Sequence, residues 1–313
     1  MKSKLTLEEA ACFLKEHDKF LIISHASPDG DTLGCGFALC RSLQQYGKEA
    51  RCFCPDKLSD SFRFLSEYVA QQDFTPETIV TVDVAALPLL GDYESKYEGK
   101  IDLAIDHHSS NTGYAANSFV EKAGAAAEVV YRVLKAGNLP IDREIAEGLY
   151  VGIATDTGCF KYSSTTPQTH IIAAELMAYG FDYGKLNYDF FDKRTKSRIE
   201  LESRVLRKVE FYFGGRCAVA ILDKDDIENA NDDDINCVSG LTRQIDGVDI
   251  GVTLKWKSDG VWKASVRTTA GIKAGDICAA HGGGGHEAAA GCKLHGTLDE
   301  CKKKLIETIG AYV

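Results

Sequence analysis

Residues 20–31 read Phe-Leu-Ile-Ile-Ser-His-Ala-Ser-Pro-Asp-Gly-Asp. Phe20 to Ser24 is a short, nearly continuous apolar run, the pattern of a strand buried on both faces of a parallel sheet. The run breaks at once into His25, Asp29 and Asp31, so the strand ends in titratable groups. Working outward, Thr32 to Tyr46 follows as a helix stopped by Gly47. Ala50 to Cys54 is a second strand, ended by Pro55, and Thr78 to Val82 and Ile101 to Ile105 are two more. Helical patterns fill the intervals: Ser59 to Val69, Ala125 to Lys135, Asp142 to Thr155 and Pro167 to Tyr179. Thr6-x-x-Glu9 is a capping box that opens a helix ahead of the first strand. Strands alternating with helices require right-handed crossovers, which predicts an α/β, doubly wound parallel sheet.

The alternation weakens after Gly180. Ile199 to Val209 reads as a polar connecting helix. Beyond it, Cys217 to Ile221, Val248 to Trp256 and Val261 to Arg267 read as strands, with a hairpin turn at Lys257 to Gly260. Thr297-x-x-Glu300 caps a last helix running to about Ile309. Asn229 to Asp234 reads as a solvated acidic loop. The expected organisation is a first domain over 1–185, a linker helix over 186–210 and a smaller α/β domain over 211–313.

The 313 residues are 44% hydrophobic and 26% charged, an ordinary globular balance that excludes a disordered or fibrous chain. A net charge of −10 argues against coating long DNA or RNA. It does not argue against a small nucleotide, because bound metal can invert the local field. The start of the chain carries Glu8 and Glu9 before any apolar run and is not read as a secretory signal. No apolar run approaches the ~20 residues that span a bilayer. Eleven scattered cysteines without a C-x-x-C pair fit reduced thiols in a cytoplasmic protein.

Chemistry concentrates at the strand ends. The first strand delivers His25, Asp29 and Asp31, the third ends in Asp83, and the fourth ends in Asp106-His107-His108. Asp156 closes the apolar helical stretch Tyr150 to Thr155. Groups at the carboxyl ends of parallel strands share one crevice. Any one Asp after a strand is more often a turn former or cap. Surface turns, however, have no reason to collect acids at the same end of successive strands. Converging carboxylates repel unless a cation holds them. Asp29, Asp31, Asp83 and Asp156 together carry −4, which balances two divalent ions. Carboxylates with imidazole and no thiolate favour Mn²⁺ or a similar metal over structural zinc.

These motifs resemble the DHH phosphoesterase superfamily: His25-x-x-x-Asp29-x-Asp31, Asp83 after a strand, Asp106-His107-His108, and Asp156. Gly282-Gly283-Gly284-Gly285-His286-x-x-Ala289-Ala290-Gly291 resembles the glycine-rich motif of the DHH-associated domain. In length and layout the chain is similar to the NrnA-like group of nanoRNases and 3′-phosphoadenosine-5′-phosphate phosphatases.

The resemblance implies roles. His25, Asp29 and Asp83 would hold one metal, and Asp31, Asp83, His107 and Asp156 the other, with Asp83 shared. Asp106 would orient a histidine from behind, His108 would lie near the scissile phosphate, and a metal-bridging hydroxide would be the nucleophile. Arg267, Gly282, Gly283, Gly284, Gly285 and His286 would bind the substrate's phosphate across an interdomain active-site cleft.

No G-x-x-x-x-G-K-[ST] occurs, and Gly34-x-Gly36 lacks the rest of a dinucleotide fingerprint. The expected activity is Mn²⁺-dependent hydrolysis of very short RNA, with dephosphorylation of 3′-phosphoadenosine-5′-phosphate. The alternatives are a hydrolase dedicated to linear dinucleotides from cyclic-dinucleotide signalling and an inorganic pyrophosphatase or polyphosphatase. No long nucleic acid or membrane partner is expected. Homodimerisation follows from the resemblance alone.

Overall fold

The structure, a computed structural model, describes residues 3–269, 271–285 and 288–313, apart from the side chains of 232, 233 and 236. The chain divides into two compact units, Met1–Lys193 and Arg194–Val313.

The first unit carries strands β1 (Ser3–Lys4), β2 (Phe20–Ile23), β3 (Ala50–Phe53), β4 (Thr78–Val82), β5 (Leu103–Asp106) and β6 (Asn117–Val120). Their order is β1-β6-β5-β4-β2-β3, and every pairing is parallel. The chain passes from β2 outward to β3, then returns to place β4 on the other side of β2. That reversal makes β2 and β4 the topological switch point, where an open α/β sheet presents its crevice. All four β2 residues are buried, as the continuous apolar run requires.

Helices Leu7–Glu16, Gly30–Gln45, Ala126–Ala136, Arg143–Asp156 and Pro167–Met177 form most of the layers around this sheet. The first begins with the expected capping box of Thr6 and Glu9. Gly30–Gln45 crosses Arg143–Asp156 closely: a Cβ on Gly34 would lie 2.2 Å from the carbonyl oxygen of Gly148. Gly34 therefore serves helix packing. The helix expected over Ser59 to Val69 shrinks to a 3₁₀ turn, Asp60–Phe62, and one α-turn, Arg63–Ser66. Phe62 and Phe64, two positions apart, both meet Phe190, a spacing no single helix face provides.

The second unit holds β7 (Glu210–Tyr212), β8 (Cys217–Leu222), β9 (Ile250–Ser258), β10 (Val261–Thr268), β11 (Gly284–Gly285) and β12 (Ala289–His295), ordered β11-β12-β10-β9-β8-β7. Only β8 and β9 run parallel in it. β8 alternates cleanly. Cys217, Val219 and Ile221 pack with helices Ala274–Ala279 and Leu298–Ile309, while Ala220 and Leu222 pack with Lys196–Arg207 and Asp232–Val238.

Two expectations change here. The helix expected as a polar connector runs over Lys196–Arg207, and its Leu201 and Val205 are fully buried in the second unit's core. The acidic stretch expected as a solvated loop contributes Asp234 to the helix Asp232–Val238. Asp234 is buried and accepts bonds from Thr195, Ser197 and Asn231.

Candidate metal centre

Three elements of the first unit converge on Asp83. Asp29 is the N-cap of helix Gly30–Gln45, its Oδ1 accepting from the amides of Asp31 and Thr32 at 3.1 Å each. That cap fixes the first turn and points Asp31 inward. Asp31 is buried, and its Oδ2 and Oδ1 accept from the amides of Ala126 (2.5 Å) and Ala127 (2.9 Å). It thus stands at the positive start of two helices, which favours a carboxylate there. Gly152 faces it, because a Cβ at that position would come within 2.7 Å of Asp31 Oδ1.

Asp83 follows β4 with φ +57, a left-handed conformation rare for a residue bearing a side chain, while its amide donates to Ile105 O at 3.0 Å. Such strain recurs at functional sites. His25 Nε2 lies 3.6 Å from Asp29 Oδ1 and 3.7 Å from Asp83 Oδ2, and its Nδ1 donates to Ala26 O at 2.9 Å. His107 Nε2 lies 3.4 Å from Asp83 Oδ1, 3.7 Å from Asp156 Oδ2 and 4.0 Å from Asp31 Oδ2. Its Nδ1 donates to Ala123 O at 3.2 Å. Both imidazoles therefore anchor one nitrogen on a carbonyl and aim the other at carboxylates, the orientation of a metal-ligating histidine.

Three donor sets result: His25, Asp29 and Asp83; Asp31, His107 and Asp156; and Asp83, Asp106, His107 and His108. Within each set the ligand atoms lie within 4.8 Å of one another. Asp106 is fully buried, and His108 Nδ1 donates to its Oδ1 at 2.7 Å. Asn111 Nδ2 donates to Asp106 Oδ2 at 2.6 Å and to Val84 O at 3.2 Å. Asp106 so restrained orients His108.

The electrostatics fit a cation. Burial depresses the imidazole of His25, but Asp29 and Asp83 outweigh it and hold the pKa at about 11. The same contest raises His107 to about 10, with Asp83 the first of its acidic partners. Desolvation lifts Asp156 to about 7 and lifts Asp31 well above the carboxylate range, whereas the two histidines overcome burial and lower Asp83. Without a cation the cluster keeps protons to balance its acids. Asp83 Oδ1 is nevertheless buried with no hydrogen-bond partner. An orphaned carboxylate oxygen between imidazoles fits a metal ligand.

The structure brings together every first-unit residue singled out in the sequence: His25, Asp29, Asp31, Asp83, Asp106, His107, His108 and Asp156. Sequence reasoning missed Asn111 and the amides of Ala126 and Ala127. Asn111 carries only a turn residue's signal, and a backbone amide has no side-chain signature at all.

In the second unit, Arg267 lies on β10 opposite Gly251 and Ala289, and its Nη1 donates to Val266 O at 3.1 Å. Gly284 and Gly285 form β11. A Cβ on Gly283 would fall 2.2 Å from Gly291 O, so packing against β12 by itself demands glycine there. His286 lies outside the described residues.

Residues 19–153 match the N-terminal domain of the DHH family, and residues 214–313 match the DHHA1 domain. The bifunctional oligoribonuclease and PAP phosphatase NrnA of Thermus thermophilus is 33% identical over 296 residues, covering 92% of this chain and 88% of that protein. The protein of the same name from Bacillus subtilis is 23% identical over 93% of this chain and 94% of its own. Among solved structures, an exopolyphosphatase-related protein from Bacteroides fragilis aligns with a TM-score of 0.89 at 23% identity, over 98% of this chain and 96% of that one. That likeness shows a shared fold.

Proposed function

This chain belongs to the DHH family, with a DHHA1 domain following, and on that footing we propose that it hydrolyses very short oligoribonucleotides to mononucleotides and dephosphorylates 3′-phosphoadenosine-5′-phosphate. The observation that carries the reading is the gathering of two separate His/Asp donor sets beside one buried, hydrogen-bond-orphaned Asp83 oxygen. The relatives named as oligoribonuclease and PAP phosphatase supply the substrate class.

His25, Asp29 and Asp83 would hold one divalent ion, and Asp31, Asp83, His107 and Asp156 a second, with Mn²⁺ the metal best suited to this donor set. Such ions polarise a phosphoryl oxygen and lower the pKa of bound water. The chain's own groups then have distinct tasks. The carbonyls of Ala26 and Ala123 keep His25 and His107 turned so that Nε2 faces the carboxylates. The amides of Ala126 and Ala127 hold Asp31 in place as an anion. Asp106 accepts the Nδ1–H bond of His108 and so orients its ring, and His108 Nε2 would stabilise charge at the phosphate or assist the leaving oxygen. Arg267 and residues Gly282–Gly285, with His286, would bind the substrate's phosphate. The expected assembly is a homodimer.

Substrate length tests the reading. A net charge of −10 offers no evident basic track for a long polyanion, and strand-tracking nucleases depend on such tracks. Initial rates with Mn²⁺ on a dinucleotide, a pentamer, a 24-mer, 3′-phosphoadenosine-5′-phosphate and pyrophosphate are expected to be high for the first two and the fourth, and abolished by EDTA. Equal rates on the dinucleotide and the 24-mer would overturn it, and preference for pyrophosphate would replace it with an inorganic pyrophosphatase.

A further inference from the structure

A cavity of about 510 Å³ opens in the first unit along β3, with Ser24 after β2 and residues 69–72 among its lining. Its lining runs from residue 24 to residue 72 and includes none of the metal-centre side chains. Leu33 and Phe37, from the helix Gly30–Gln45, and Leu58 give it an apolar wall. Arg51, Lys57 and Arg63 line it as well, and among the described residues no carboxylate does. Three cations around one cavity stand out in a chain of net charge −10.

The three cations differ. Arg63 is paired with Asp60. Lys57 is exposed and has no ion-pair partner among the described residues. Arg51 lies with its guanidinium carbon 5.3 Å from the centroid of Phe74, and its Nε is buried with no hydrogen-bond partner. A buried donor left unmet is unfavourable, so an acceptor at Arg51 is favoured. A guanidinium meets phosphate oxygens in pairs, and the Lys57 ammonium on the same cavity adds a point charge. The volume falls within the ~300–1,000 Å³ of small-molecule sites and exceeds what an inorganic anion fills.

We infer that this cavity binds a nucleoside monophosphate, its phosphate against Arg51 and Lys57 and its base against Phe37 and Leu58. The site is built without the metal centre and stands apart from the hydrolytic reading. Ser24, which lines the cavity, is followed directly by His25.

Calorimetric titration of the full chain with adenosine 5′-monophosphate, with and without EDTA, tests it. One nucleotide is expected to bind in EDTA, and Asp83→Asn to bind it equally well. Arg51→Gln is expected to weaken binding about tenfold and Lys57→Gln severalfold, the loss of one charged contact each. Inorganic phosphate and adenosine, each supplying half of the ligand, are both expected to bind more weakly. Lys57 is exposed, so its variant decides the matter if Arg51→Gln fails to fold. No binding in EDTA, or full affinity in both variants, would overturn the inference. Inorganic phosphate binding as tightly as the nucleotide would overturn the assignment to a nucleotide.

Discussion

Asp83 in the first unit and Asp234 in the second are each 3% exposed, yet their surroundings are opposite. Asp234 accepts from Thr195 Oγ1 at 3.0 Å, Ser197 Oγ at 2.5 Å and Asn231 Nδ2 at 2.8 Å. It ties the start of helix Lys196–Arg207 to helix Asp232–Val238 and keeps no acceptor unmet. Asp226, also buried, is held by Arg204 at 3.1 Å and Lys208 at 3.0 Å. Asp83 is crowded by other acids, twisted into a left-handed backbone and left with an orphaned oxygen. Burial alone does not mark a functional carboxylate. A buried acid whose partners are hydroxyls, amides and cations is a structural tie, whereas one set among acids and imidazoles fits a metal ligand.

The sharpest way to break this contrast is Asp83→Asn, which removes a proposed ligand from both ions at nearly constant volume. If the ions supply ~4 kcal/mol of transition-state stabilisation, hydrolysis falls by roughly 10³ while circular dichroism stays native. Wild-type turnover with unchanged metal content would break the two-metal assignment.

Metal affinity should also follow pH. His25 and His107 hold protons up to about 11 and about 10, and Asp156 up to about 7, in the metal-free chain. All three shifts are upward, so metal must displace these protons, and affinity rises as pH rises. The expected slope approaches a hundredfold per pH unit when two protons leave and is steeper still below pH of about 7. Titration in buffers of different ionisation enthalpy counts the protons. A flat affinity across neutral pH would contradict the cluster's electrostatics.

Arg267→Ala probes the phosphate binding proposed for the second unit. Metal stoichiometry is expected to stay intact while kcat/KM on a dinucleotide falls roughly a hundredfold, the effect of about 2–3 kcal/mol of charge-assisted phosphate binding. Loss of metal would contradict the division of labour.

Asp234→Ala reverses the experiment on Asp83. It is expected to lower stability by about 2 kcal/mol, read as an earlier urea midpoint, with kcat/KM near wild type. The smallest effect is expected from Asn111→Ala, which removes the bond to Asp106 Oδ2 and so loosens the carboxylate that holds His108. An approximately tenfold loss in kcat with KM unchanged would mark Asn111 as a positioning residue, and unchanged kcat would remove it from the network.

Much of this is legible in the sequence. The apolar runs at Phe20–Ser24, Thr78–Val82 and Ile101–Ile105 fixed the buried parallel strands, because period and burial are local properties of a sequence. The acids and histidines that end those runs marked the groups the structure gathers, since strands wound in one direction put their carboxyl ends on one edge. Capping boxes at Thr6 and Thr297 located two helix starts. Tertiary structure decided what depends on contacts between distant segments. It turned the acidic stretch before Ile235 into a buried tie, drew the helix Lys196–Arg207 into the second core, and assigned Gly34 and Gly283 to close packing. It paired the two-residue β1 with the short β6, neither long enough to carry a periodic signal. It also supplied the amides of Ala126 and Ala127, the Asn111 bond to Asp106 and the unmet oxygen of Asp83. The sequence by itself determined which groups could hold a metal, because residue type fixes charge and donor atoms. Only the tertiary structure decided which of those groups keep a partner and which do not, because hydrogen-bond satisfaction is settled by where the rest of the chain comes to lie.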